Sequence, residues 1–336
     1  MASMDAFNAD VFSTREMTGK VEKIDYKPQM LGELGIFHVE PVTSKKVFVD
    51  RVDGKLQLIQ SSPEGAPPSE RERDSRSAVA LETVHLSRGR TIYAAEVAGV
   101  RAFGSTSELE SLEAKILKEQ ARLVDDLEVT EEHHRFAALH GKLLDADGSV
   151  IYDYFAEFDV AEAPVITIAL NTATTKVRTV CNQAVRGMAK SSKGAFVTGT
   201  SVHALAGDEF FDKLTDHDNV RRSYENWAAA ADLRESGAFG AFTYGGITFH
   251  NYRGMDGGEF GVATDEARLF PVGARDVFVK AQSPLATEEY VNTPGMARYS
   301  MLIRDRDRGF WVRPEVYANP LYLCQLPDVL RTMKIA

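Results

Sequence analysis

Between Ser105 and Leu139 the sequence leaves room for little except a long helix. Leu109, Leu112, Ile116, Leu123 and Leu127 recur at three- and four-residue steps, with Gln120 the one polar interruption. That is the period of a helix with a single apolar stripe. Ser107 with Glu110 makes a capping box, and Gly104 upstream gives the chain a sharp entry. Lys115 stands four before Glu119 and Arg122 four before Asp126, spacings that pair opposite charges on a solvated flank. The stripe then changes phase. Val129, His133, Phe136 and Leu139 fall on a displaced face, and Thr130 followed by Glu131 and Glu132 is placed to cap a second helix. The expectation is a rod of roughly 50 Å at about 1.5 Å per residue, bent near Thr130 and longer than a compact domain needs.

A chain of 336 residues with 44% hydrophobic content can fill two cores, so two compact subdomains with extensions are expected. The net charge of −10 opposes both a nucleic-acid-binding surface and an anionic membrane, each of which calls for clustered Lys and Arg. Cys181 and Cys324 each sit inside an apolar pattern and read as buried thiols rather than a bridge or a metal pair. The opening MASMDAFNADVF has no basic and apolar signal regions, and no run approaches the ~18 apolar residues of a membrane span. A reducing cytoplasm is the expected setting.

Residues 1 to about 35 carry single apolar anchors, Phe7 and Phe12 among them, without a sustained period, and read as an arm laid along something else. For residues 1 to 15 a frayed terminus is the competing reading. KKVFVDRVDGKLQLIQ alternates on both sides of Asp53-Gly54, a strong signal for a two-residue hairpin turn. Then comes a stretch with three prolines and the charges Glu70, Arg71, Glu72, Arg73, Asp74 and Arg76, which cannot bury surface, before a strand resumes at Ala78. Residues 50 to 88 therefore read as two extended strands with a projecting tip, although a plain solvated loop explains the charge run equally well.

After the rod, Lys142–Leu144 and Val150–Phe155 flank Asp145, Asp147 and Gly148 as a hairpin. The Asp-x-Asp-Gly run lacks the further acidic positions of a calcium loop. Val165–Leu170 reads as strand. Val177, Val180, Cys181, Ala184, Val185 and Met188 form a clean helical stripe. Phe196–Thr200 reads as strand, Asp208 as the cap of a helix, and Asn219–Leu233 as another helix. Strands are expected at Ile247–Tyr252, Arg268–Val272, Asp276–Ala281, Tyr299–Ile303, Phe310–Arg313 and Leu321–Leu326. This alternation marks a separate α/β or α+β unit after about residue 161.

Catalytic chemistry finds little support. His133 and His134 are helix neighbours on different faces with no zinc-binding spacing, and a surface or core role is the simpler reading. His203, His217 and His250 lie in one half of the chain and are free to converge, though no spacing requires it. There is no nucleophile elbow, and the Gly237–Gly246 cluster precedes a strand without a phosphate-loop ending. No catalytic, cofactor or metal residue is assigned.

Several passages resemble the lambda-type major capsid protein E family of tailed phages: RAFG at 101–104, the T-E-x-x-x-R run at 130–135, ALHGKLLDADGSVIYDYFAEF at 138–158 and PLYLCQLPDVLRTMKI at 320–335. The resemblance implies an α+β chain with the Hong Kong 97-type tailed-phage capsid fold. It divides the chain into an N-terminal arm (1–38), an E-loop (50–88), a P-domain (89–160 and about 295–336) holding the spine helix and a long sheet, and an A-domain (161–294). It further implies assembly into hexamers and pentamers of an icosahedral head around double-stranded DNA bound without sequence preference, no membrane, and no cofactor. Because little chain precedes the first strands, a separate scaffolding protein is expected, and a decoration protein is a further partner the family allows. Glu70, Arg71, Glu72, Arg73, Asp74 and Arg76 at the loop tip, with Phe7 and Phe12 in the arm, are the expected contacts between subunits. Two alternatives remain: an encapsulin-type nanocompartment, and a soluble α/β enzyme using His203, His217 or His250.

Overall fold

The computed structural model describes residues 30–53, 75–97, 112–225, 241–252 and 261–336. The Ser107–Glu110 capping box, Leu109, the RAFG passage and residues 226–233 of the expected second helix lie outside them.

One helical turn, α1 (Met30–Glu33), leads into β1 (His38–Pro41), β2 (Lys46–Asp53) and β3 (Ser75–Glu82). β2 pairs antiparallel with β3, from Lys46 opposite Glu82 to Asp53 opposite Ser75. The partner strand among the described residues is thus the one beyond the charged segment; Gly54 and the residues expected to return from a two-residue turn lie outside them. β4 (Leu86–Gly89), β5 (Ile92–Tyr93) and the short α2 (Ala94–Val97) precede the long helix α3, Leu112–Leu139.

Helix α3 runs unbroken through Thr130. The Thr130 hydroxyl donates to the Asp126 carbonyl (3.0 Å), a bond back into the preceding turn that belongs to a helix interior and not to a cap. The expected pairs along its flank also differ. Arg122 turns back to Glu119 (2.9 Å), and Asp126 is taken by Arg88 of β4 at 3.2 Å. Val129, expected on the apolar face, is 42% exposed. The first half of α3 lies on the β15 sheet described below, through Leu123, Val124 and Leu127 against Val316, Ala318 and Leu86, and through Ile116 against Ile92 and Val312.

β6 (Lys142–Leu144) and β7 (Val150–Asp153) form the expected hairpin. The strand stops at Asp153 because its carboxylate accepts the Phe155 and Ala156 N–H groups and starts the turn α4 (Tyr154–Glu157). Next come β8 (Ile166–Ile168), α5 (Val177–Ser191), β9 (Ser201–Ala206), α6 (Asp208–Asp216), α7 (Asp218–Glu225), β10 (Ala241–Tyr244), β11 (Ile247–Asn251) and β12 (Glu266–Val272). Residues 196–200 are a turn, with the Thr200 N–H returning to the Val197 carbonyl, and the strand begins only at Ser201. Asp208 is the first residue of α6, and the cap is Gly207. A Cβ at Gly207 would lie 2.2 Å from the Ala263 carbonyl oxygen, so a capping side chain has no room there. β13 (Phe278–Gln282), β14 (Tyr299–Arg304), β15 (Trp311–Ala318), β16 (Pro320–Cys324) and β17 (Arg331–Ile335) complete the chain.

The described strands form three larger sheets and two ribbons: β1-β13-β16; β10-β11-β9-β12-β17-β8; β14-β15-β4 with β5 also on β15; and the pairs β2-β3 and β6-β7. Two large apolar clusters fill the interior. One gathers Leu31, Ile36, Phe136, Leu139, Tyr154, Phe278 and Leu323 around the β13 sheet. The other packs α5, α6 and α7 through Cys181, Met188, Phe210, Leu214 and Val220 onto the six-stranded sheet. Cys181 and Cys324 are free and buried, and burial pushes each thiol up to about 12, too weakly acidic to act as a nucleophile.

Candidate subunit-contact surface and the charge network behind it

The β2-β3 ribbon pairs with no other strand among the described residues. Val49 and Leu81 root it in the first apolar cluster, and the Glu82 N–H donates to the Tyr152 hydroxyl at 2.9 Å. Its outer face carries Phe48, 66% exposed. Of the expected contact residues, Arg76 is on β3 opposite Val52; Glu70, Arg71, Glu72, Arg73, Asp74, Phe7 and Phe12 lie outside the described residues.

Beside α3, where β4 passes, an open cleft of about 530 Å³ is lined by Arg88, Arg90, Glu119, Arg122, Asp125 and Asp126. Glu119, 2% exposed, receives Arg90 at 2.7 Å and Arg122 at 2.9 Å, while both guanidiniums stay about half solvated. The buried Glu119 carboxylate thus holds Arg90 and Arg122 in place with donor capacity facing outward.

Deeper along α3 the charges go inside. Glu128, Glu131, Glu132 and Arg135 are all buried. Glu131 Oε2 accepts from Lys280 Nζ at 3.0 Å, Arg135 Nη2 at 3.1 Å and the Tyr322 hydroxyl at 2.7 Å. Glu128 meets Arg298 at 2.9 Å. Glu132 accepts from Arg135 (3.0 Å) and from the Leu31 N–H (2.8 Å), which ties α1 to the long helix. Arg135 and Lys280 also stand over the Tyr322 ring, at 5.1 and 5.2 Å. Burial alone raises a carboxyl pKa, and it does so for Glu128 and Glu132. At Glu131 the neighbouring Lys280, Arg298 and Arg135 and the Tyr322 hydroxyl overcome burial and hold the carboxyl below its usual range. A second pin closes the helix: Arg268 of β12 donates to the Leu139 carbonyl at 3.0 Å and to Glu162 at 3.2 Å.

His134 sits in this region fully buried, with neither ring nitrogen hydrogen-bonded among the described residues. Burial, reinforced by His133, lowers it from 6.5 to about 4. The unfolded chain therefore takes up a proton near pH 6.5 that the folded chain refuses until about pH 4, so stability falls across that interval and levels off below it. On the order of 3 kcal/mol is at stake. Glu128 and Glu132, with raised pKa values, act in the opposite sense on acidification. The comparison that isolates the histidine is denaturation of wild type and His134→Leu from pH 7 to 4, where the variant should lose less stability. Parallel curves would show that His134 does not titrate as described.

Two of the three expected histidines converge. His203 Nδ1 and His250 Nε2 are 2.9 Å apart, while His217 is elsewhere, with Nε2 3.1 Å from the Thr172 carbonyl oxygen. No helix of the described residues is long and apolar enough to cross a membrane.

A family model described as phage major capsid protein E matches residues 13–335. The chain is similar to the major capsid protein of Salmonella phage Felix O1 (isolate Felix O1-VT1), 26% identical over 352 residues with 95% of each covered. It is likewise similar to that of Pseudomonas phage KPP10, 27% identical over 311 residues, covering 85% of this chain and 87% of the other. Two solved structures share its fold: the capsid of cyanophage P-SCSP1u, at 10% identity, TM-score 0.52 and 90% and 86% coverage, and the mature capsid of bacteriophage PhiM1, at 12% identity, TM-score 0.51 and 89% and 85% coverage. The fold is that of tailed-phage capsid proteins. The match over nearly the whole chain decides against the nanocompartment and enzyme alternatives: the chain belongs to the phage major capsid protein E family and is a structural subunit of the phage head shell.

Proposed function

We propose that copies of this chain join as hexamers and pentamers, close an icosahedral head around double-stranded DNA, and do so in the host cytoplasm on a separate scaffolding protein. The observation that carries the reading is the β2-β3 ribbon, which has no third strand among the described residues and bears an exposed Phe48 on its outer face. A two-stranded ribbon is marginal by itself in water and gains stability from a surface to lie on. In the proposed division, residues 1–38 are the arm, 50–88 the E-loop, 89–160 and 295–336 the P-domain and 161–294 the A-domain. The loop tip, with Glu70, Arg71, Glu72, Arg73, Asp74 and Arg76, reaches a neighbouring subunit, as do Phe7 and Phe12 of the arm. The arginine cleft beside α3 offers fixed donors and acceptors for such a charge-alternating strand. Many modest contacts of this kind let a closing shell correct misplaced subunits. The net charge of −10 also fits a container that does not grip its DNA. A decoration protein would bind the finished shell from outside.

Deleting residues 63–74 should leave the chain soluble and abolish closed shells in negative-stain electron micrographs. Shells formed equally well by the deletion variant would remove the loop from the contact set. Uniform shells of native size from the wild-type chain expressed alone would remove the scaffold.

A further inference from the structure

His203 on β9 and His250 on β11 share one face of the six-stranded sheet, His203 opposite Thr248 and His250 opposite Leu205 in the parallel pairing. Their rings are within 13° of parallel with centroids 5.2 Å apart, and His203 Nδ1 meets His250 Nε2 head-on at 2.9 Å, a single N–H···N hydrogen bond across the strands. On the other side of the His203 ring, Nε2 lies 2.9 Å from the Ser201 hydroxyl. Among the described residues β10 pairs with β11 alone, and β11 joins the β10-β11 hairpin to the sheet through β9. The histidine bond is thus a side-chain tie on the seam that attaches this hairpin to the rest of the layer.

We propose that His203 and His250 form a proton-sensitive clasp, closed at neutral pH and opened by mild acid, on the seam between β9 and the β10-β11 hairpin. The neutral pair holds one proton between its facing nitrogens. A first added proton is accommodated, because His203 then donates from Nδ1 to His250 and from Nε2 to Ser201 Oγ. A second proton, on His250 Nε2, sets N–H against N–H and one positive ring against another, so the bond breaks and the rings part. Burial lowers the pKa of His203, and burial together with the charge of His203 lowers that of His250 from 6.5 to about 4. Around the pair, Phe270 of β12 flanks His203 at 6.2 Å and Ala241 of β10 stands opposite His250. Arg268 of β12, one row away opposite Leu205, is committed to the Leu139 carbonyl and Glu162. Tyr252, two positions beyond His250, stays neutral in acid because burial raises its pKa. An imidazole that titrates near 6.5 once released and at about 4 in place leaves the clasp fully closed above pH 6.5. The closed state then loses ground from pH 6.5 to 4, and the loss levels off below.

Amide hydrogen exchange of the purified, unassembled full chain at pH 7 and pH 4.5, corrected for the intrinsic pH dependence of exchange, tests this. Protection of residues 241–252 should fall on the order of 50-fold in wild type, the ratio that linkage gives for His250 when the hairpin opens locally. His250→Gln and His203→Gln, which keep an amide able to bond across the seam but take up no proton, should lose far less. His217→Gln and His134→Leu should lose as much as wild type, which separates the clasp from the buried histidine on α3. Protection at pH 7 reports whether each variant folds, and the wild-type chain is decisive by itself: unchanged protection of 241–252 at pH 4.5 overturns the proposal. An equal loss in both glutamine variants, or abolition of the loss by His134→Leu, overturns it as well.

Discussion

Glu131→Ala is expected to cost about 3–5 kcal/mol of stability, the range for removing one member of a buried ion network. The carboxylate has three donors on one oxygen, from Lys280, Arg135 and the Tyr322 hydroxyl. Deleting it removes the carboxylate that Lys280 donates to and leaves that buried ammonium beside the buried Arg135, which keeps Glu132, and burial already disfavours the charged form of Lys280. No rearrangement within the helix replaces it, because Glu128 is engaged by Arg298 and Glu132 by Arg135 and the Leu31 N–H. Tyr322→Phe removes a single donor to the ionised carboxylate and should cost about 1.5–3 kcal/mol, the range for a hydrogen bond to a charged group. Urea denaturation of the unassembled chain measures both. Equal midpoints for Glu131→Ala and Tyr322→Phe would mean that the charge at residue 131 contributes nothing beyond one hydrogen bond.

Gly295→Ala should prevent folding or leave less than a small soluble fraction. Gly295 lies on the backbone at the end of β13, where a Cβ would stand 2.0 Å from the Gln282 carbonyl oxygen and 2.4 Å from its carbon. Both obstacles are main chain, so no rotamer change relieves the overlap. Separating the segments would break the Gly295 N–H bond to the Val42 carbonyl (3.0 Å) and disturb the Val42 N–H bond to Gln282 (2.8 Å), leaving buried polar groups unpaired. Gly187 is the matching control. It is inside α5, its nearest Cβ neighbour is Arg331 Nε at 3.8 Å, and Gly187→Ala should stabilise the chain by about 0.5–1 kcal/mol through helix propensity. The comparison is soluble yield and urea midpoint; similar behaviour of the two variants would show that close backbone approach at Gly295 is not what requires glycine.

Local signals carried the reading where neighbours in sequence are also neighbours in space. The α5 stripe and the β6-β7 hairpin are of this kind, as is the first half of α3. The buried network escaped because its partners are remote: Lys280 is 149 positions from Glu131, and Tyr322 is 191. A signal was nevertheless present. Glu128, Glu131, Glu132 and Arg135 fall at i, i+3, i+4 and i+7, the spacing of a core-facing stripe written in charged residues. Charged residues on that period belong inside when a complementary set waits on the facing sheet, and composition cannot reveal the set. Strand β9 was misplaced for a related reason. Val202 through Ala206 is nearly continuous in apolar character because both sheet faces are covered, so the alternation that marks a half-exposed strand is missing.

Among the described residues, strand β8 joins its sheet by running parallel to β17, and β17 in turn lies between β8 and β12. A nascent polypeptide that has emerged only as far as β16 still has an unpaired edge at β12 and a stranded β8. Closure of that layer must wait until residues 331–335 leave the ribosome, a contact of very long sequence separation. Truncated translation products would thus fail to present a finished subunit, and a growing particle would be spared poisoning by incomplete copies.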